Sequence, residues 1–133
     1  MEQALIAILD ADASLVVLAG DQIYWGLAPQ DVDGSFITLN VVSGVRDYAL
    51  SGATGYAESR VQMDCWASTY PLAKALSNAA IAAVSAYRGE VASIHVGGVF
   101  VDNERDLNEA RQGDIATRYR VSVDLRIHWR PNT

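Results

Sequence analysis

The chain has 133 residues and a mass of 14.3 kDa, is half hydrophobic, and carries sixteen acidic against ten basic side chains for a net charge of −6. That is enough for one packed core and too apolar for a disordered chain, and no apolar run is long enough to span a bilayer. With one lysine among its cations, the acidic chain argues against tight nucleic-acid binding, which draws its affinity from clustered Lys and Arg displacing counterions.

Leu5, Ile6, Ile8 and Leu9 predict a short helix over 2–11. No basic residue precedes this apolar stretch, so it does not read as a secretory signal, and a cytosolic chain is expected. Asp12 and Ser14 can cap a second helical turn running to Leu18, which Gly20 ends. Residues 22–25 form a short extended piece, and Pro29 with the polar run 30–34 makes a loop. Residues 35–43 are β-rich, with Ile37, Leu39 and Val41 on one face. Gly44, Gly52 and Gly55 bracket a stretch too long for a tight turn. Residues 44–55 are therefore expected as a long hairpin connection or arm, the least ordered or most extended part of the chain. It contains Arg46 and Tyr48, and Tyr48 is expected to anchor on another chain.

Residues 56–67 alternate with period two. Ala57, Ser59, Val61, Met63, Cys65 and Ala67 share a small apolar face, while Tyr56, Glu58, Arg60, Gln62, Asp64 and Trp66 share the other. Trp66 ends the polar face, an outward position unless the chain twists there. An alanine-rich helix follows over 68–88, with Ser68 or Thr69 as cap, Pro71 in the first turn and Gly89 as its stop. Leu72, Leu76, Ala79, Ala80, Ala83, Ala86 and Tyr87 fall on one side. Ile81 falls among Lys74, Ser77, Asn78, Ser85 and Arg88, either as an interface residue or as an ordinary exposed one.

Residues 91–101 and 118–129 are two further strands, expected to pair antiparallel; the second alternates through Tyr119, Val121, Val123, Leu125, Ile127 and Trp129. The segment 102–114 between them is acidic, with Asp102, Glu104, Asp106, Glu109 and Asp114 against Arg105 and Arg111. It precedes Arg118, Arg120, Arg126 and Arg130. Such charges can pair within one subunit or between copies. The order predicts a single α+β domain over 1–133: an antiparallel sheet of about four strands, a long helix on one face and a short N-terminal helical segment. The inner set is expected to include Leu39, Val61, Met63, Leu72, Leu76, Ala83, Val121, Val123 and Leu125.

No catalytic constellation emerges. His95 and His128 lack a second ligand at metal spacing, and lone Cys65 on an apolar strand face reads as a buried thiol. Gly97-Gly98 reads as a strand bulge rather than a phosphate cradle. Asp102, Glu104 and Asp106 alternate like the first ligands of a calcium loop, without the glycine and closing glutamate such a loop needs. No enzyme, cofactor or metal site is expected. One class left open is a small α+β domain that binds a ligand in a pocket beside the sheet.

Taken in order, DQIYWGLAPQ, FITLNVVSGVRDYALSG, ESRVQMDCWA, AKAL, GVFVDNERDL and RYRVSVDLRIHW resemble the tail-completion (tail terminator, or tail-to-head joining) proteins of long-tailed phages and gene transfer agents. The resemblance covers nearly the whole chain. It implies a structural protein of a virion or phage-like particle, without catalytic residues. Implied too is a homo-oligomeric ring, usually of six subunits. Such a ring caps the tail tube protein and offers its other face to the head connector or stopper protein, with double-stranded DNA passing through untethered and no membrane involved. A closed ring needs two different complementary faces on each subunit. Residues considered for those contacts are Arg46, Tyr48, Trp66, Ile81, Glu104, Asp106, Arg118, Arg120 and Arg126. Another neck or minor tail component would share these features.

Overall fold

The computed structural model describes residues 1–20, 22–27, 34–49, 52–85, 87–107 and 119–131, with backbone alone at 47–49 and 52–54. Two short helices, α1 (Glu2–Asp10) and α2 (Ala13–Ala19), open the fold. Asp12 caps α2 by accepting a bond from the Leu15 N–H at 3.0 Å, and Gly20 ends it at φ +59°, where a side chain is disfavoured. Three strands follow: β1 (Ile23–Trp25), β2 (Phe36–Ala49) and β3 (Gly52–Ala67). Helix α3 (Tyr70–Val84), then β4 (Gly89–Val91), β5 (Ile94–Asp106) and β6 (Tyr119–Pro131) complete the chain.

Among the described residues the sheet has six strands in the order β1-β2-β3-β6-β5-β4, where about four were expected. The additional two are β1 and β4, three residues each, too short to leave a period-two pattern. β1 lies parallel to β2, so the sheet is mixed; all other neighbours, including β5 and β6, are antiparallel.

Residues 44–55 are not a connection but the continuation of β2 and β3, paired out to Tyr48↔Ala53 and Ala49↔Gly52. Register shifts at Val41/Ser43 and Arg46/Tyr48 let the ladder absorb Val42 and Asp47 as it twists outward. β6 accompanies β3 only from Ala67 to Ala57, so beyond Ala57 the hairpin projects two strands wide.

All three helices lie on one face. Leu5, Leu9, Leu15, Leu76 and Val84 bury against Leu39, Val61, Met63, Val121, Val123 and Leu125, each at most 1% exposed. The alternations of β3 and β6 are borne out: Ala57 through Ala67 and Val121 through Ile127 turn their apolar side to the helices. α3 is shorter than expected and rotated. Thr69 caps it, with Pro71 in the first turn, but it ends at Val84, and Gly89 instead opens β4. Its buried stripe is Ala73, Leu76, Ser77, Ala80 and Val84. Leu72, expected inside, is 42% exposed, and Ala83 is half-buried. Ser77, expected outside, is buried with its hydroxyl donating to the Lys74 carbonyl at 3.0 Å. Small side chains on every side of the helix leave the sheet free to select the closest-packing stripe.

Candidate assembly surfaces

The face of the sheet away from the helices is built by residues brought opposite one another by register: Trp66↔Arg120, Asp64↔Ser122, Gln62↔Asp124, Arg60↔Arg126 and Glu58↔His128 across β3 and β6, with Phe100↔Arg126 and Arg105↔Ser122 across β5 and β6. Cations, carboxylates and aromatic rings alternate over it. Trp66 points to this face, as the alternation required. Its ring stacks on Phe36 at 5.7 Å between centroids, its Nε1 donates to Thr38 Oγ1 at 3.1 Å, and the Arg120 guanidinium covers it at 4.8 Å. Arg120 also lies 3.8 Å from the buried Asp64 carboxylate, which accepts from Gln62 at 3.0 Å.

Arg126 stands between Asp102 at 3.5 Å and Glu58 at 3.9 Å, above the ring of Phe100. Asp102 is shared with Arg60 at 3.4 Å, and Arg105 pairs with Asp124 at 2.8 Å. Tyr56 stacks on His128 at 4.5 Å and accepts a bond from Arg130. The Gly97-Gly98 bulge serves this cluster: a Cβ on Gly97 would stand 3.0 Å from His128 Nδ1, and one on Gly98 2.8 Å from the Phe100 ring. Solvent-exposed pairs of this kind contribute only about 0–1 kcal/mol each. Their effect is to hold long side chains in one arrangement.

The charge is unevenly divided. Arg60, Arg105, Arg120, Arg126 and Arg130 share this face with Glu58, Asp64, Glu90, Asp102 and Asp124, five cations against five anions. The other charged side chains described are Glu2, Asp10, Asp12, Glu104 and Asp106 against Arg46, Lys74 and Arg88. The sheet face is neutral and the other described residues are net negative.

The other candidates scatter. Asp106 turns to the helix side, opposite Val121, where Lys74 Nζ meets it at 2.8 Å and the Tyr70 hydroxyl donates to it at 2.7 Å. These bonds hold the Asp106 carboxyl below its ordinary range and the Lys74 ammonium above its own. The acidic run from Asp102 to Asp106 is therefore strand, not loop, and Asp102 and Asp106 meet their cations inside their own chain. Glu104 is exposed on the helix side of β5, opposite Val123. Arg46 is exposed on the projecting hairpin. Tyr48 belongs to β2 by its backbone, its side chain lying outside the described residues, as does Arg118. Ile81 is half-buried and packs against the core, so it is not the exposed misfit that the helical wheel suggested.

Val41, placed by the alternation on the face of Ile37 and Leu39, is 46% exposed, and Val42 and Val45 beside it on β2, at 62 and 65% exposure, and Phe100 on β5 are further exposed apolar positions. Of these only Val45 falls in the segment expected as a connection; the others lie on the expected strands, where exposure at an open edge leaves no mark in the alternation. Trp129 instead belongs with the inner side, its Nε1 donating to Ser59 at 3.0 Å. Burial pushes the Cys65 thiol far up, into a neutral, unreactive state. A crevice between α1 and the sheet, lined by Leu5, Ile8, Val96 and Val99, is too tight to admit water and offers no ligand pocket. Among the described residues no three His, Cys, Asp or Glu side chains converge on a metal position, and no helix is long and apolar enough to cross a membrane.

A family profile described as "Tail completion protein gp17" matches residues 3–129. No curated protein matches the sequence. Among solved structures, a chain from the virion of a native gene transfer agent particle superposes with a TM-score of 0.76 at 19% identity, covering 96% of this chain and 92% of its own. At that identity the likeness speaks for the fold, and the family profile speaks for kinship. This chain belongs to the gp17 family of tail completion proteins.

Proposed function

We propose that this chain forms a homo-oligomeric ring, hexameric as in the family's usual form, that caps the finished tail tube and meets the head connector or stopper on its other side. Double-stranded DNA passes through the ring without being held. The observation that carries this reading is the family match along nearly the whole chain. A tail completion protein is a structural component of a phage-like particle, which points away from catalysis.

The surfaces support the finer reading. A closed ring needs heterologous faces, and this subunit has a projecting hairpin, a charged sheet face and a helix-covered face, none resembling another. A conduit also needs little friction on DNA, which comes mainly from cationic contacts to phosphate. The net charge of −6, repeated in each subunit, disfavours such contacts. Electron microscopy of the particle with this chain labelled is the test: density at the head–tail junction is expected, and density at the tail tip or the capsid would refute the placement.

A further inference from the structure

We infer that the subunits join by strand addition: the free edge of β2 in one copy pairs antiparallel with the free edge of β5 in the next, Arg46 opposite Glu104. The inference rests on the ring reading and specifies its contact.

Both edges are open over equal lengths. β1 covers β2 only through Leu39, which leaves Asn40 to Ala49; β4 covers β5 only through Val96, which leaves Gly97 to Asp106. Among the described residues no strand pairs with either ten-residue stretch on its outer side. A long free edge displays unsatisfied N–H and C=O groups, and monomeric proteins blunt such edges with lysine, proline or a covering segment. β2 has two bulges but neither lysine nor proline, and the Val41, Val42 and Val45 side chains on it are exposed. The two edges lie on opposite sides of one sheet, so joining them is head-to-tail, the kind of contact that closes a ring.

Charge and geometry select the register. Arg46 lies level with Ala57, whose side chain is buried toward the helices, and Glu104 lies level with Val123, buried the same way. In a continuous sheet the two charges therefore share the helix side, and both are exposed in the single subunit. Through Ala57, Arg46 aligns with Trp129, so the two charges stand six residues apart along β6. At about 3.3 Å per residue the next copy slips by about 20 Å. The four long strands span about 19 Å at about 4.8 Å each. A slip nearly equal to the width tilts the strands about 45° from the ring axis, at the upper end of the roughly 35–45° of closed barrels. The register that pairs the charges is thus compatible with closure without a rise.

The test uses two variants of the full chain with one added cysteine each, Arg46→Cys and Glu104→Cys, native Cys65 being buried. Opposite residues of antiparallel strands lie about 4.5–5.5 Å apart at Cα, inside the reach of a disulfide. When the folded variants are mixed and oxidised, a covalent dimer is expected that neither forms alone, and the double variant should give a ladder. In parallel, Arg46→Glu should raise the concentration needed for assembly several-fold, and adding Glu104→Arg should bring it back. Native mass measurement on the unmodified chain separates the failures. Assembly without the cross-link and without charge rescue overturns this contact and leaves the ring. A chain that stays monomeric at every concentration overturns both.

Discussion

Truncating Leu76 to alanine tests the position of α3 most directly. Leu76 is fully buried at the middle of the helix, and its neighbours one turn away on the buried stripe are Ala73 and Ala80. Leu→Ala changes in packed cores cost about 2–5 kcal/mol, rising with the cavity that remains. Neither alanine has a side chain that can swing into the gap, so the upper half of that range, about 3–5 kcal/mol, is expected here. Against a domain stability of about 5–15 kcal/mol this is a large share, and it corresponds to a fall in Tm of about 10–20 °C. Urea unfolding followed by far-UV circular dichroism should be run at low concentration, so that subunit contacts do not add to the apparent stability. The control is Leu72→Ala on the same helix: at 42% exposure it should cost under about 1 kcal/mol. If Leu72→Ala proved as damaging as Leu76→Ala, the helix would be rotated from the orientation described, and the assignment of its buried stripe would fail.

Asp106→Asn should lower the urea midpoint at neutral pH. Because the Asp106 carboxyl is held below its ordinary value of 3.8, its contribution is present above that value and disappears as pH falls below it, so variant and parent should converge under acid conditions. Cys65 should resist thiol reagents in the folded chain and react once urea unfolds it; labelling at the native rate of a free thiol would contradict its burial. Tyr48→Ala should weaken assembly and leave the circular dichroism spectrum unchanged, whereas loss of folding would move that ring into the core. A gel shift at low salt should show no submicromolar retention of DNA. Retention abolished by removing Arg120, Arg126 and Arg130 would instead set the sheet face against the DNA.

The parts of this fold that were legible in sequence are those where one element carries a complete period. β3 and β6 alternate over ten or more residues, and α2 and α3 carry recognisable caps at Asp12 and Thr69. Two kinds of feature escaped. β1 and β4 exist because a neighbouring strand offers them a ladder, and three residues have no pattern of their own. The outer hairpin escaped because its glycines suggested turns, although Gly44 sits inside a paired strand. The candidate surface was legible in kind but not in partnership. The outward position of Trp66 follows from parity, while the placement of Asp106 beside Lys74 and of Asp102 beside Arg60 depends on strands distant in sequence.

The strand order has a consequence for synthesis on the ribosome. β6, the last of the described strands in chain order, is not at the margin of the sheet but between β3 and β5. Until residues 119–131 emerge, the nascent chain holds the β2–β3 hairpin and the β4–β5 pair as two separate pieces, each with an unsatisfied inner edge and half an apolar face. Contacts so distant along the chain close slowly, because the intervening loop must be ordered first. A product ending before Tyr119 would therefore leave two sticky halves rather than a slightly smaller domain. Emergence of β6 acts as the switch from aggregation-prone intermediate to folded subunit. Many copies made at once gain from that timing, since no subunit can present a complete sheet before its own β6 has been made.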